Sequence, residues 1–262
     1  MDRQTGSARL AVRLPAREPG GRIRQENEAL ILRAAESVFA RAGFAGSTMA
    51  EIALQAGVPK SNLHYYFRTK HELYRAVLGH TLQLWLAEID IISAEHEPRA
   101  ALEQYIRAKM RLSASHPDAS RVFANELLHG APEIGDVLRK VLHELVARKA
   151  SVIQQWIASG RMADVDPHHL FFTIWAATQT YADFEAQVCA VLGVNELGPD
   201  HFEQAAEHLV GLVLRGCGIV PTQVPTHVPP GATPRHRPQE PGENHVRPDP
   251  APLQPARWPR GR

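Results

Sequence analysis

The chain has 262 residues, of which 44% are hydrophobic and 22% charged, the ordinary balance of a globular protein. Its net charge of +1 excludes a protein that is strongly basic or acidic throughout. No apolar run approaches the ~20 residues of a membrane span, and the N-terminus lacks the apolar middle of a signal peptide. With only two cysteines, Cys189 and Cys217, and no CxxC spacing, we expect a cytoplasmic chain with free thiols.

The two ends of the chain differ in composition from the middle. Residues 1–24 carry six arginines against two acidic residues and show no apolar periodicity, which predicts a disordered basic arm. Residues 219–262 hold 12 of the 20 prolines and few apolar residues, which predicts a disordered tail. The folded part is therefore predicted to be about 25–218, with one domain at 25–85 and a second at 86–218.

Helical periodicity runs through this folded part, and no convincing strand pattern interrupts it. A first helix follows the apolar positions from Ile31 to Ala42 and stops at Gly43. Capping boxes at Thr48–Glu51 and Thr69–Glu72 predict the starts of a short second helix and a long fourth one. Between them, a third helix is predicted from Pro59 to about Phe67. Further helices are predicted at about 99–115, 119–129, 133–159, 167–192 (capped by Asp166) and 200–215. The fold class is all-α, with about nine helices.

The segment from about 48 to 67 has the spacing of a helix-turn-helix. Ala53 is small where two helices would cross, Gly57 tolerates a left-handed turn, and Leu63 is apolar where a recognition helix would rest on its support. An ordinary helical hairpin is the alternative. If the motif is real, the polar face of the third helix is the surface that meets DNA.

We expect the DNA contacts to come from side chains that donate hydrogen bonds to phosphates and base edges. Leu63, Tyr66 and Phe67 should instead be core. For each of the polar residues, a merely solvated position is the alternative. The predicted DNA-binding residues are Thr48, Lys60, Ser61, Asn62, His64, Tyr65 and Lys70.

The stretch from Ile31 to Leu78, with TMAEIALQAGVPKSNLHYYFRTKHELYRAVL, resembles the DNA-binding domain of TetR-family transcriptional regulators. The resemblance implies a three-helix DNA-binding domain and a larger all-α domain that binds a small effector. It also implies a homodimer that places two recognition helices on a near-palindromic double-stranded operator and pairs its last two helices in a four-helix bundle. Within those helices, we expect Tyr181, Phe184, Leu209, Val210 and Val213 to form the interface.

Further phrases at 105–132 and 166–188 resemble members of that family that regulate pyrimidine utilisation. This implies a repressor released from DNA by a pyrimidine base, uracil or thymine, with Trp85, Trp175 and Gln179 in the pocket. Trp175, Gln179 and Asp183 share one helix stripe, an indole can stack on a planar base, and an amide complements a pyrimidine edge. Asp183 would bond the ligand or pair across the dimer interface. The tryptophans are alternatively core residues, and the effector alternatively a hydrophobic or drug-like molecule.

Neither catalysis nor a metal site is predicted. The sequence holds no GxSxG, HExxH or phosphate-binding glycine loop, so an enzyme is not expected. His168 and His169 face apart on their helix, and His201 and His208 lack partners that would complete a metal shell. We therefore expect no cofactor other than the effector.

Overall fold

A computed structural model describes residues 22–219, with side chains from Arg24 onward. The secondary structure in this range is helical, without strands, which confirms the all-α prediction. The helices are α1 (Arg22–Gly46), α2 (Met49–Gln55), α3 (Lys60–Tyr66), α4 (Lys70–Glu88), α5 (Pro98–Ser115), α6 (Pro117–Leu128), α7 (Gly135–Val137), α8 (His143–Ala158), α9 (Pro167–Asp183), α10 (Glu185–Leu192) and α11 (Pro199–Gly216).

Two irregular segments extend these helices. A 3₁₀ turn at Ile89–Ile91 continues α4, and a π-helical segment at Leu138–Leu142 joins α7 to α8. The described residues thus form ten separate helical stretches, against the nine or so predicted. The basic arm at 1–21 and the tail at 220–262 lie outside the described residues, while Arg22 and Arg24 belong to α1.

The four N-terminal helices pack around one apolar core. The predicted apolar positions Ile31, Val38 and Phe39 are almost fully buried and meet buried residues of α4 such as Leu73 and Val77. The core continues into the second half of the chain through Val122 and Phe123 of α6 and Ile134. Because α4 also runs unbroken past residue 85, the predicted domain boundary lies inside a helix and a shared core.

The two predicted capping boxes form only in part. The hydroxyl of Thr48 accepts the Glu51 N–H, and the hydroxyl of Thr69 accepts the Glu72 N–H, both at 3.1 Å. The carboxylates of Glu51 and Glu72 do not bond back to the cap residues. Glu51 pairs with Arg41 at 2.7 Å, and Glu72 accepts the Arg68 N–H at 3.0 Å. The start of each helix was therefore predicted correctly. The second bond of a capping box, from the backbone N–H of the threonine to the glutamate carboxylate, is not formed.

A second core lies among α5, α8, α9 and α11. It contains Tyr105, Trp156, Phe171 and Leu214, each at most 3% exposed. Asp166 caps α9 as predicted, since one oxygen accepts the N–H groups of His168 and His169. This second core fixes the positions of α5 and α9, and α9 carries three of the four predicted ligand residues.

The predicted helix at 167–192 is wrong, because Phe184 interrupts it with φ −120° and ψ 33°. The guanidinium of Arg121, on α6, donates to the Ala182 carbonyl at 3.0 Å and pairs with Glu185. Because Arg121 already donates to the Ala182 carbonyl, this carbonyl does not need an N–H group from the next helical turn, and the helix can end here. The last two helices of the described chain are therefore α10 and α11.

Three residues of the expected dimer interface lie largely in the core of one subunit. Leu209, Val210 and Val213 are 8%, 7% and 8% exposed in a single subunit and belong to its own core. Tyr181 is half-buried beside Phe202. The large apolar side chains exposed on α9–α11 and at the α9–α10 junction are instead Phe172, Phe184, Val191, Leu192 and Leu212.

Candidate functional site

The turn between α2 and α3 has the geometry predicted for a helix-turn-helix. Ala53 is 3% exposed and Leu63 is fully buried. Gly57 has φ +66°, and the N–H of Val58 donates to the Ala53 carbonyl at 3.0 Å. This bond is the one that closes a helix end through a left-handed residue. The spacing of the three residues therefore reflects a real turn between two packed helices.

One face of α3 is exposed and carries most of the predicted DNA-binding residues. Lys60, Ser61, His64 and Tyr65 are exposed, and Asn62 is half-buried. On the opposite face Leu63 and Phe67 are buried and Tyr66 is half-buried, as predicted. Tyr65 is 69% exposed, large for an aromatic residue without a partner surface. The side chains available to DNA thus lie together on one short helix.

Thr48 and Lys70 have structural contacts in addition to their predicted role. The Thr48 hydroxyl caps α2. The Lys70 ammonium donates to the carbonyls of Phe44 and Ser47 at 2.6 and 2.8 Å and lies 4.5 Å from the Phe44 ring centroid. Lys70 therefore links the start of α4 to the α1–α2 connection. This link holds the first turns of α2 and α4 beside α3.

Arg24 adds a positive charge to this surface. Its guanidinium carbon lies 5.8 Å from the centroid of the Tyr65 ring, a cation–π distance. The start of α1 therefore lies beside the exposed face of α3, although the two are far apart in the sequence.

On the other side of the molecule, α5 connects the predicted ligand residues. Trp175 donates its indole N–H to the Tyr105 hydroxyl at 2.7 Å and packs against Phe171 and Phe172. Two turns further along α5, Ser113 donates to the carbonyl of Thr178 at 2.9 Å. These two bonds fix α5 along the stripe of α9 that carries Trp175, Gln179 and Asp183.

Lys109 packs against Trp85 and is within electrostatic range of Asp183. The Trp85 ring packs edge-on against Phe123, with centroids 4.6 Å apart, and the Lys109 ammonium lies 4.2 Å from the Trp85 centroid. Lys109 is only 3% exposed. Burial lowers its pKa to about 8, while the carboxylates of Asp183 and Glu88 favour its charged form.

Asp183 bonds within its own subunit. One of its oxygens accepts from the Ser120 hydroxyl at 2.6 Å, and burial raises its pKa against the opposing effects of Ser120, Arg121 and Lys109. Gln179 is half-buried one turn before it. The structure thus places Trp85 against Lys109 of α5, with Asp183 within electrostatic range of Lys109, and joins Trp175 to α5 through Tyr105.

Lys109 and Ser120 were not singled out from the sequence. A signal for Lys109 exists, because it lies on the apolar stripe of α5 with Tyr105, Ile106 and Met110, where a charge is unusual. Ser120 carried no such signal, since its partner is 63 residues away in the sequence.

A separate surface groove of about 520 Å³ lies where α8 ends and α9 begins, away from these residues. It is lined by Gln154, Ile157, Ala158, Asp164, Val165, Asp166 and Pro167. Over 22–219, no helix is long and apolar enough to cross a membrane, and no group of three or more metal-ligating residues is found.

Comparison with known proteins agrees with this arrangement. Residues 31–77 match the family model of bacterial regulatory proteins of the tetR family, and residues 78–220 match the C-terminal region of YcdC-like proteins. The chain is 43% identical over 186 residues to the HTH-type transcriptional regulator RutR of Escherichia coli K12, covering 71% of this chain and 88% of that protein. It is 31% identical over 114 residues to the regulator TtgR of Pseudomonas putida, covering 43% and 53%.

Solved structures show the same fold at lower identity. The ketosteroid transcriptional regulator KstR2 of Mycobacterium tuberculosis matches with a TM-score of 0.59 and 21% identity, covering 72% of this chain and 94% of that one. AibR in complex with isovaleryl coenzyme A and operator DNA matches with a TM-score of 0.52 and 18% identity, covering 71% and 97%. With a helix-turn-helix that exposes α3 and a helical second half similar to that of RutR, the chain belongs to the TetR family of DNA-binding transcriptional regulators.

Proposed function

We propose that this regulator is a repressor released from its operator by a pyrimidine base, uracil or thymine, and that it controls genes of pyrimidine and nitrogen metabolism. The proposal extends to a homodimer that acts in the cytoplasm. The observation that carries it is the packing of α5 against α4 and α9, where Trp85 lies against Lys109 and Trp175 bonds to Tyr105, on the α9 stripe that also carries Gln179. The sequence similarity of this chain to RutR over most of its length supports the interpretation of this region as an effector site.

The residues of this contact suit a small planar ligand with polar edges. Trp85 and Trp175 offer flat faces on which a base can stack. Gln179 has both a donor and an acceptor, which match the adjacent N–H and C=O of a pyrimidine edge. A purely hydrophobic effector would leave the Gln179 amide without a partner in the complex, at a cost of about 1–3 kcal/mol, whereas Asp183 already accepts a hydrogen bond from Ser120.

Helix α6 connects this site with the DNA-binding half. At its start Ser120 bonds to Asp183, and near its end Glu126 accepts from the buried hydroxyl of Tyr74 on α4 at 3.2 Å. Glu126 also accepts the Glu133 N–H, and Glu133 pairs with Arg75 of α4. A ligand that shifts α6 would therefore shift α4, whose first turn Lys70 ties to the α1–α2 connection. This is the route by which we expect effector binding to change the spacing of two recognition helices.

The exposed apolar side chains of the C-terminal helices support a dimer. Phe184, Val191 and Leu192, from the start to the end of α10, and Leu212 on α11, are between 50% and 79% exposed in one subunit. Exposed large apolar side chains gathered on the C-terminal helices favour an interaction site there. In a two-fold dimer the same patch serves both partners.

The test is a calorimetric titration of the purified full chain with uracil and thymine, followed by release of bound operator DNA. We expect saturable heat and a rise in melting temperature. The absence of both at millimolar ligand would refute the pyrimidine proposal, and a response to hydrophobic or drug-like compounds instead would establish the alternative effector class.

A substitution in the site separates sensing from DNA binding. Gln179→Ala should leave operator affinity unchanged and weaken release by uracil, because the residue lies far from α3 in the fold. Thr173→Ala, at an exposed position on the same helix, is the control. Loss of operator binding by Gln179→Ala without ligand would contradict the division between the two sites.

A further inference from the structure

Lys109 occupies the middle of the face of α5 that contacts α9. Tyr105, Lys109 and Ser113 are four residues apart and share one helix face. The outer two bond to Trp175 and to the carbonyl of Thr178. Lys109 therefore lies between two fixed contacts on the same face of α5, with its ammonium against Trp85 of α4.

The ammonium of Lys109 lacks a hydrogen-bond acceptor among residues 24–219. Its nitrogen lies 4.2 Å from the centroid of the Trp85 ring, and the residue is 3% exposed. Of the nearby carboxylates, Asp183 bonds to Ser120, and Glu88 on α4 acts on Lys109 only through its charge. Arg121 of α6 is the other cation near Asp183.

With the residue 3% exposed, the Lys109 ammonium loses most of its surrounding water, and none of its three N–H donors meets an acceptor in the described protein, which is unfavourable for the charged group. Lysine is almost never fully buried without a partner. A ligand oxygen placed against the nitrogen would supply the missing acceptor. Ligand binding would then offset the free-energy cost of holding the Lys109 ammonium without an acceptor.

We propose that Lys109 is a ligand-binding residue of the effector site: its ammonium donates a hydrogen bond to a ring carbonyl oxygen of the ligand, stacked near Trp85, and thereby selects pyrimidines that carry carbonyl groups over amino analogues. This inference rests on the proposed pyrimidine effector and deepens it. Gln179 bonds one part of the ligand edge, and Lys109 can donate only to an acceptor atom, so an amino group in place of the carbonyl at that ring position would put donor against donor.

The experiment compares the full chain with its Lys109→Met variant in calorimetric titrations with uracil and with cytosine. We expect the variant to bind uracil about 10- to 100-fold more weakly, as for the loss of a hydrogen bond from a charged donor. We also expect the preference for uracil over cytosine to shrink. Arg111→Met, an exposed position on the same helix, should change neither quantity.

The melting temperature without ligand separates a binding role from a structural one. Methionine fills a similar volume and removes a buried charge, so Lys109→Met should melt at or above the wild-type temperature. If Lys109→Met melts lower, Lys109→Gln takes its place in the same comparison. A fall in melting temperature in both variants, together with lost binding, would mean that Lys109 acts structurally and would overturn the inference.

Two further outcomes are distinguishable. If the wild-type chain binds uracil and Lys109→Met binds it equally well with the same preference over cytosine, the inference is overturned while the proposed effector class stands. If the wild-type chain binds neither base, the proposed effector class fails and the inference fails with it.

Discussion

Replacing Gly57 by alanine tests the turn that joins α2 to α3. Gly57 has φ +66°, and no described atom outside its immediate neighbours comes within 4 Å of the Cβ that alanine would add. The substitution therefore brings in backbone strain without a steric clash. An L-residue in the left-handed region costs roughly 1–2 kcal/mol relative to the right-handed one.

The α4 helix contains a matched control at Gly79. An added Cβ would again meet no described atom within 4 Å, but the backbone there is that of a helix interior. Alanine in such a position stabilises by about 0.5–1 kcal/mol, because it restricts the unfolded chain more than glycine does. The same substitution in equally open space should therefore have opposite signs, separating the two variants by about 2 kcal/mol.

The measurement is urea unfolding of both variants and the wild type at one protein concentration, since the stability of a dimer depends on its concentration. Operator affinity is measured in parallel by fluorescence anisotropy. We expect Gly57→Ala to lower both the free energy of unfolding and operator affinity, and Gly79→Ala to keep the affinity and raise the stability. A Gly57→Ala variant as stable as Gly79→Ala would refute the assignment of this turn.

Three further predictions concern other parts of the molecule. Tyr65→Ala should weaken operator binding by about 1–3 kcal/mol in anisotropy titrations and leave uracil affinity unchanged, because the exposed ring lies on the predicted DNA-binding face of α3 and outside the predicted effector site; equal loss of both activities would contradict this. Leu212→Asp should shift the protein from dimer to monomer in sedimentation experiments, whereas Leu128→Asp, at an 82% exposed site on α6, should not. The pKa of Lys109 is about 8 in the folded chain, below the ordinary 10.5, so between pH 8 and 10.5 the unfolded chain binds this proton more tightly than the folded chain does. Over that range the free energy of unfolding of the wild type should therefore rise with pH relative to that of Lys109→Met. A constant difference between the two proteins from pH 7 to 10 would show that Lys109 does not have this lowered pKa.

The DNA-binding half was largely predictable from the sequence because its signals are local. Ala53, Gly57 and Leu63 act within one turn and two short helices, and each matches what the structure shows. The hydroxyls of Thr48 and Thr69 cap the helices that they precede. Such contacts span three or four residues, so the order of residue types predicts them. The predictions failed where a side chain had a more distant partner available, as when Glu51 turned to Arg41.

The effector half was less predictable because its contacts join distant parts of the chain. Phe184 breaks the predicted helix at 167–192 where Arg121 of α6 holds a carbonyl of α9, and no pattern within 167–192 indicates that contact. Leu209 and Val213 have the periodicity of an interface, yet they are buried in their own subunit. An apolar stripe predicts that a helix face is covered, but it does not tell which surface covers it.

The helix-turn-helix with a separate helical sensor therefore follows from the sequence by itself, since helix starts, the Gly57 turn and the apolar periods depend on short-range sterics and hydrogen bonds. Only the tertiary structure decided which residues surround the predicted effector site. It placed Lys109 against Trp85 and Ser120 against Asp183, pairs that lie 24 and 63 residues apart. The energy of such pairs arises from burial and charge between helices, and these exist only after the helices have packed together.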